Sequence, residues 1–345
     1  MTRRRSNRAR IIPVRAIALL TLAGFAAACA AGPATSPSPG APIPLAVGLG
    51  YIPSVQFAPF YLADRNGYYR DAGLQVTFQN GQDADIVPLV GQGKLDIGIA
   101  DGTSVIPAVD HAIPIRYVAT VYARFPSIVF ALGSSGIKSP ADLAGKKLGI
   151  PVKGGSSWVM LQAMLASAGL APSDLEIVEF PAYGQGVAVQ QGVVDAATGF
   201  VNNEPVQLEL AGVKTVVLTV DAITPLPGPG LITGTATLSG PKRAALKAFV
   251  AATLRAMKEI AADPQKGLDA AVAAVPELAA DRATQLAILK ATIAAWQSPY
   301  TDAHGLGAID SDAWAKSIAF IRTMPDSPLT GSVTAADMVT QELLP

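Results

Sequence analysis

The densest group of hydrogen-bonding side chains in the sequence is the run Val-Asn-Asn-Glu-Pro. It sets Asn202, Asn203 and Glu204 directly behind an apolar, β-rich stretch ending at Phe200. Asn offers a donor and an acceptor, and an ionised Glu offers acceptors only, so three such groups in a row could read the edge of a polar small molecule. Pro205 suits the first turn of a helix, and one Asn is expected to cap that helix by satisfying an orphan N–H. A cap occupies one side chain and leaves two without a structural duty. In the competing reading Glu204 only complements the helix dipole.

A second group is Lys-Gly-Gly-Ser-Ser-Trp, residues 153–158. Gly-Gly-Ser-Ser presents free N–H groups at a helix start, which is where anions bind. The spacing matches neither Gly-rich nucleotide fingerprint. Ser156 and Ser157 are therefore expected as polar ligand contacts that do not require an anion, with a Ser N-cap as the plainer alternative. Asp101 reads equally as a cap for the helix behind it and as an acceptor for ligand N–H groups. Tyr122 and Arg124 at one strand end, and Tyr183 after another, are further candidates.

Aromatics crowd the start of the body: Tyr51, Phe57, Phe60, Tyr61, Tyr68 and Tyr69, with Gln56 among them. Phe60 and Tyr61 have the spacing of a core-facing helix, and Tyr68 and Tyr69 are expected to pack at its end. Tyr51 closes a strand pattern and Gln56 and Phe57 open a helix pattern, so these three are expected to face a ligand cleft. Groups for catalysis are sparse. The chain has one Cys, Cys29, and two His, His111 and His304, far apart in sequence. They form no metal-ligand cluster and no nucleophile–base pair; the expectation is no metal, no cofactor and no enzyme.

These residues need elements to hold them. Short β-rich runs at 45–52, 74–79, 96–100, 115–122, 127–132, 147–150, 175–180, 195–200 and 214–220 alternate with helical patterns at 56–69, 86–92, 104–111, 157–168, 186–192 and 205–211. That alternation means βαβ units and mostly parallel sheet. Beyond the Pro- and Gly-rich stretch 225–234 the character changes to Ala-rich amphipathic helices, expected as a packing layer. The rhythm restarts after 133–136, which suggests a discontinuous lobe 1 (45–132 and 226–345) and an inserted lobe 2 (133–225). Ligands of open α/β sheets sit beyond the carboxyl ends of the strands, and the candidate residues all follow strands.

At 345 residues, half of them apolar and 15% charged, the chain is long enough for two cores. The first 28 residues carry six Arg and no acid, leaving 20 basic against 26 acidic residues, a net charge of about −6. With no basic stripe, a nucleic-acid partner is not expected. Residues 1–28 have the basic n-region and apolar h-region of a signal peptide. Cys29 directly after it stands where a lipobox places its acylated Cys, although the usual Leu three places earlier is absent. The Pro-, Ala- and Ser-rich stretch 29–44 reads as a flexible tether. The expectation is an exported lipoprotein on the outer face of the cytoplasmic membrane or in the periplasm.

Three stretches carry a family resemblance: GYIPSVQFAPFYLADRNGYYRDAGL, GIPVKGGSSWVMLQAML and GFVNNEPVQLELAG. They resemble solute-binding proteins of ABC importers, in the branch of thiamine-pyrimidine-precursor and riboflavin binders. The likeness covers nearly all of 45–344. It implies a two-lobed α/β fold of the type II periplasmic-binding class, a monomer that closes by a hinge around one small ligand. It also implies a permease and its ATPase as partners. Rings at Tyr51 and Phe57 would then stack on a flat heteroaromatic ligand, each aromatic pair contributing about 0.5–1.5 kcal/mol beyond burial. The same superfamily serves sulfonates and nitrate, so an anion binder is one alternative. The other is a relative of the pyrimidine-precursor synthase, which has this fold but uses a Cys-rich stretch, His residues and a Lys-bound pyridoxal phosphate.

Overall fold

The computed structural model describes residues 40–220, 223–324 and 327–345. The signal peptide, Cys29 and most of the tether lie outside the described residues. Among those described, ten strands form two five-stranded sheets. The first holds β1 (Ile43–Leu49), β2 (Leu74–Asn80), β3 (Ile97–Asp101), β4 (Ile115–Thr120) and β10 (Pro229–Gly234), in the order β2-β1-β3-β10-β4. The second holds β5 (Ser127–Leu132), β6 (Lys147–Ile150), β7 (Glu176–Glu179), β8 (Ala196–Phe200) and β9 (Thr215–Thr219), in the order β7-β6-β8-β5-β9.

Within each sheet four strands share one direction and a single antiparallel strand is inserted among them. β1 pairs with β2 from Ile43↔Leu74 to Leu49↔Asn80, while β10 runs antiparallel to both β3 and β4. In the second sheet β6 runs parallel to β7 and β8, and β5 antiparallel to β8 and β9. The central strands β3 and β10 are buried along their whole length, as their apolar runs require, whereas edge strand β2 alternates between covered and open positions.

Three sequence expectations change. Strand β5 was expected in the first lobe, which ended at 132, yet it lies inside the second sheet. The chain therefore crosses between the sheets at 121–126 rather than at 133–136. The Pro- and Gly-rich return over 225–234 is half loop and half strand, because Pro229–Gly234 is the central strand β10. Pro229 is tolerated as first residue of the strand. Gly230 is required: a Cβ there would stand 2.0 Å from the Tyr117 ring. The helix expected over 56–69 is broken into a 3-10 turn, Val55–Phe57, and the helices Ala58–Arg65 and Tyr68–Asp71. The break is Gly67, which takes the left-handed conformation (φ 75°) that favours glycine.

One face of the first sheet is covered by the helices Ala58–Arg65, Arg243–Ala262 and Pro264–Ala274. Phe60, Tyr69 and Phe249 are all buried there, with the Tyr69 and Phe249 rings stacked at 4.8 Å and the Tyr69 hydroxyl 2.8 Å from Thr253 Oγ1. Tyr68 is half-buried, its hydroxyl donating to the Glu259 carboxylate at 2.8 Å beneath the Arg255 guanidinium. A second apolar cluster runs without interruption from the helix Gly102–Asp110 to the helix Gly155–Ser167 and so joins the two sheets. The outer face of the second sheet has a small core of its own around Phe130, Val189 and Leu208.

Candidate functional site

The carboxyl ends of β1, β3, β6 and β8 converge on a cleft with about 880 Å3 of atom-free space, part of it open to solvent. From the first sheet come Tyr51 behind β1, Gln56 and Phe57 in the 3-10 turn, Gln82 behind β2, Asp101 at the end of β3, and Tyr122 just beyond β4. From the second come Ser156 and Ser157 at the start of Gly155–Ser167, Tyr183 and Gln185 after β7, and Phe200, Asn203 and Glu204 after β8.

The two sides touch across the cleft through polar and ring contacts. The Tyr51 and Tyr183 rings meet edge to face, centroids 4.5 Å apart, and Asn203 Nδ2 donates to the Tyr51 hydroxyl at 3.2 Å. The Tyr183 hydroxyl donates to Gln82 Oε1 at 3.1 Å, while Gln82 Nε2 donates to the carbonyl of Pro181 at 3.2 Å. Tyr183 holds a left-handed backbone (φ 57°), uncommon for a bulky residue and a form of strain that collects at functional sites. Deeper in, the Tyr122 hydroxyl donates to Gln56 Oε1 at 3.3 Å, and Ser127 and Ser157 hydroxyls lie 3.4 Å apart.

Glu204 is buried at the start of the helix Glu204–Leu210. Its Oε2 accepts the Phe200 N–H at 2.8 Å, which folds the carboxylate back onto the end of β8. Glycine at 199 makes room for it, since a Cβ there would lie 2.6 Å from Glu204 Oε2. Burial pushes the carboxyl above the ordinary glutamate range, against the opposing pull of the Phe200 N–H, its own N–H and the Asn203 side chain. Burial likewise raises the Tyr51 hydroxyl, and nearby Glu204 adds to that shift.

Among the lining residues there is no Lys, Arg, His or Cys. His304 stacks on Tyr300 and its Nδ1 lies 2.9 Å from that residue's carbonyl, while His111 lines a separate hollow between helices. Among the described residues no group of three or more His, Cys, Asp or Glu is placed to hold a metal ion.

The chain has known relatives. Residues 54–267 match the family model described as NMT1/THI5 like. The chain is 32% identical over 324 residues to the riboflavin-binding protein RibY of Chloroflexus aurantiacus, covering 92% of this chain and 91% of that one. The chain belongs to the NMT1/THI5-like family. A second relative is the 4-amino-5-hydroxymethyl-2-methylpyrimidine phosphate synthase of Legionella pneumophila, 26% identical over 64% of this chain and 70% of the synthase. Among solved structures, the alkanesulfonate-binding protein SsuA of Xanthomonas axonopodis pv. citri, bound to MOPS, superposes with a TM-score of 0.66 at 19% identity. The match covers 87% of this chain and 98% of that one. The fold is that of the periplasmic binding proteins.

Of the twelve ligand-contact candidates named from the sequence, ten line this cleft, and Asn202 and Arg124 do not. Asn202 lies behind it, fully buried, with Nδ2 donating to Thr292 Oγ1 at 2.7 Å, and it ties the second sheet's loop to the helix Arg282–Ala295. The expected caps take other forms. Asn203 occupies the cap position of Glu204–Leu210, but its side chain accepts from Gln207 Nε2 and donates to Tyr51. Ser156 and Ser157 sit inside the helix, which begins at Gly155 behind the N-cap Gly154. Asp101 holds the cap position of Gly102–Asp110 without bonding its N–H groups. Arg124 turns away to the carbonyl of Gln297.

Sequence reasoning missed Gln82, Gln185 and Phe200. Gln185 stands in the Ala-Tyr-Gly-Gln-Gly segment behind β7, where position after a strand was itself the available signal. Gln82 follows β2 at the sheet edge, where no chemistry in the sequence marked it.

Proposed function

We propose that this chain is the extracytoplasmic solute-binding component of an ABC importer, and that it captures a small, flat, uncharged heteroaromatic nutrient of the flavin or aminopyrimidine type. The observation that carries this reading is the composition of the cleft. Tyr51, Phe57, Tyr122 and Tyr183 offer rings, Gln56, Gln82, Gln185 and Asn203 offer amide heads, and no cationic side chain joins them. The ten candidates that line the cleft are the proposed ligand contacts. Similarity over nine-tenths of the chain to a protein named for riboflavin binding supports the flavin among these ligands.

The lobes of this reading are the two sheets with their helices, and the crossings at 121–126 and 223–228 are the hinge about which they close. Cys29 carries the lipid anchor, the chain acts as a monomer, and a permease with its ATPase receives the ligand. An alkanesulfonate or nitrate would enter a cleft that holds Asp101 and Glu204 and no counter-cation, and so is disfavoured. A synthase using a Lys-bound cofactor would need a Lys in the lining, and the lining has none.

Native mass spectrometry of the chain purified from its own cells is expected to show one heteroaromatic molecule per chain. Recovery of a sulfonate instead would overturn the reading. For the anchor, Cys29→Ala is expected to move the protein from the membrane fraction to the soluble exported fraction, because acyl chains supply the membrane affinity. Unchanged partition would remove the anchor from the account.

A further inference from the structure

Four carboxamides line the cleft, and three are already engaged with protein. Gln56 Oε1 accepts from Tyr122, both ends of Gln82 are bonded, and Asn203 bonds Tyr51 and Gln207. Gln185 differs. It is 1% exposed, lines the cleft, and its Oε1 has no hydrogen-bond partner among the described residues.

Buried acceptors are almost always paired, because an unpaired one carries the full cost of its desolvation. Gln185 is also held in place. It opens the helix Gln185–Gln190, and the backbone beside it runs close to Glu204, where a Cβ on the next residue, Gly186, would stand 3.5 Å from Glu204 Cγ. A carboxamide is neutral, so its oxygen accepts from an N–H without demanding a charge on the ligand.

We infer that Gln185 is a specificity-determining residue whose side-chain oxygen accepts a hydrogen bond from a ring N–H of the ligand. The inference rests on the heteroaromatic reading above and deepens it. On a flavin, the matching group is the imide N–H between the two carbonyls of the pyrimidine ring. A site built to bond such an N–H rejects the analogue that lacks it, because the protein acceptor is then left buried and unpaired.

The test uses two probes, riboflavin and its derivative methylated at that imide nitrogen, with affinities read from quenching of flavin fluorescence. Wild type is expected to bind riboflavin at least about tenfold more tightly than the methylated form, the ratio that one neutral hydrogen bond supplies. Gln185→Met keeps the length and bulk of the side chain and removes the acceptor. It is expected to weaken riboflavin about tenfold while leaving the two probes within about twofold of each other. A simple clash with the added methyl would persist in the variant, so a preference that survives Gln185→Met overturns the inference. Equal binding of both probes by wild type overturns it without any variant, which covers the case of a variant that fails to fold. If wild type binds neither flavin, the flavin reading itself fails, and the assignment of Gln185 to the imide falls with it.

Discussion

The two sheets share a strand order and differ in what they bring to the cleft. In each, three parallel strands are followed by an antiparallel strand adjoining a chain crossing, β10 in one and β5 in the other, and then by the last strand. Behind the first sheet lies a thick aromatic core under three helices. The outer face of the second sheet has only a small cluster, with Val187, Val193 and Leu210 exposed around it. The first side supplies most of the rings, on a rigid base. The second supplies the glycine-framed carboxyl Glu204, the amide heads of Gln185 and Asn203 and the serines of the helix start. One strand order thus carries two different emphases: most of the rings on one side, and Glu204, two amide heads and two serines on the other.

The largest effect expected from breaking this division is on the thick core. Phe249→Ala removes a fully buried ring stacked on Tyr69 and is expected to cost about 3–5 kcal/mol of stability, read by urea unfolding. A loss below 1 kcal/mol would mean that the first side is not the rigid base described.

Glu204→Gln tests the second side. It is expected to weaken ligand binding at neutral pH by about 1.5–3 kcal/mol, the range for a hydrogen bond to a charged group. The same variant carries a pH signature. Because the folded-state pKa of Glu204 is raised from 4.5, its neutral form is favoured by folding. Its contribution is full below the unfolded value and is lost as pH rises through the folded one. Stability of wild type should therefore fall over that window, and Glu204→Gln should flatten the fall. Unchanged affinity with lowered stability would return Glu204 to a helix-start role alone.

The smallest effect concerns the bridge between the sides. Tyr183→Phe removes the hydroxyl that donates to Gln82 and keeps the ring against Tyr51. It is expected to lower ligand affinity by about 0.5–1.5 kcal/mol, by calorimetry. A loss as large as that of Glu204→Gln would place the main polar contact at the mouth of the cleft rather than on its second side.

Much of this was legible in the sequence, for physical reasons. Alternating β-rich and helical runs gave the α/β class, and the rule that ligands sit beyond strand ends gathered ten candidates into one cleft. What stayed hidden depends on tertiary contacts. Composition marks Pro229–Gly234 as a loop, and its antiparallel pairing with β3 and β4 makes it a central strand, with glycine at 230 leaving room for the Tyr117 ring. Strand β5 carries no local mark of which sheet it joins; its pairing with β8 and β9 decides. Asn202 and Asn203 are neighbours with the same side chain. One is turned to Thr292 and the other to Tyr51, and no sequence pattern separates them.

The central claim is that the cleft takes a neutral flat heterocycle held by rings and polar groups from both sides, with most of the rings on the first. Calorimetric titration of the purified chain with riboflavin and, separately, with an alkanesulfonate tests it most directly. The account predicts saturable one-to-one binding of riboflavin and no measurable heat of binding from the sulfonate. Tight binding of the sulfonate with none of riboflavin would contradict it.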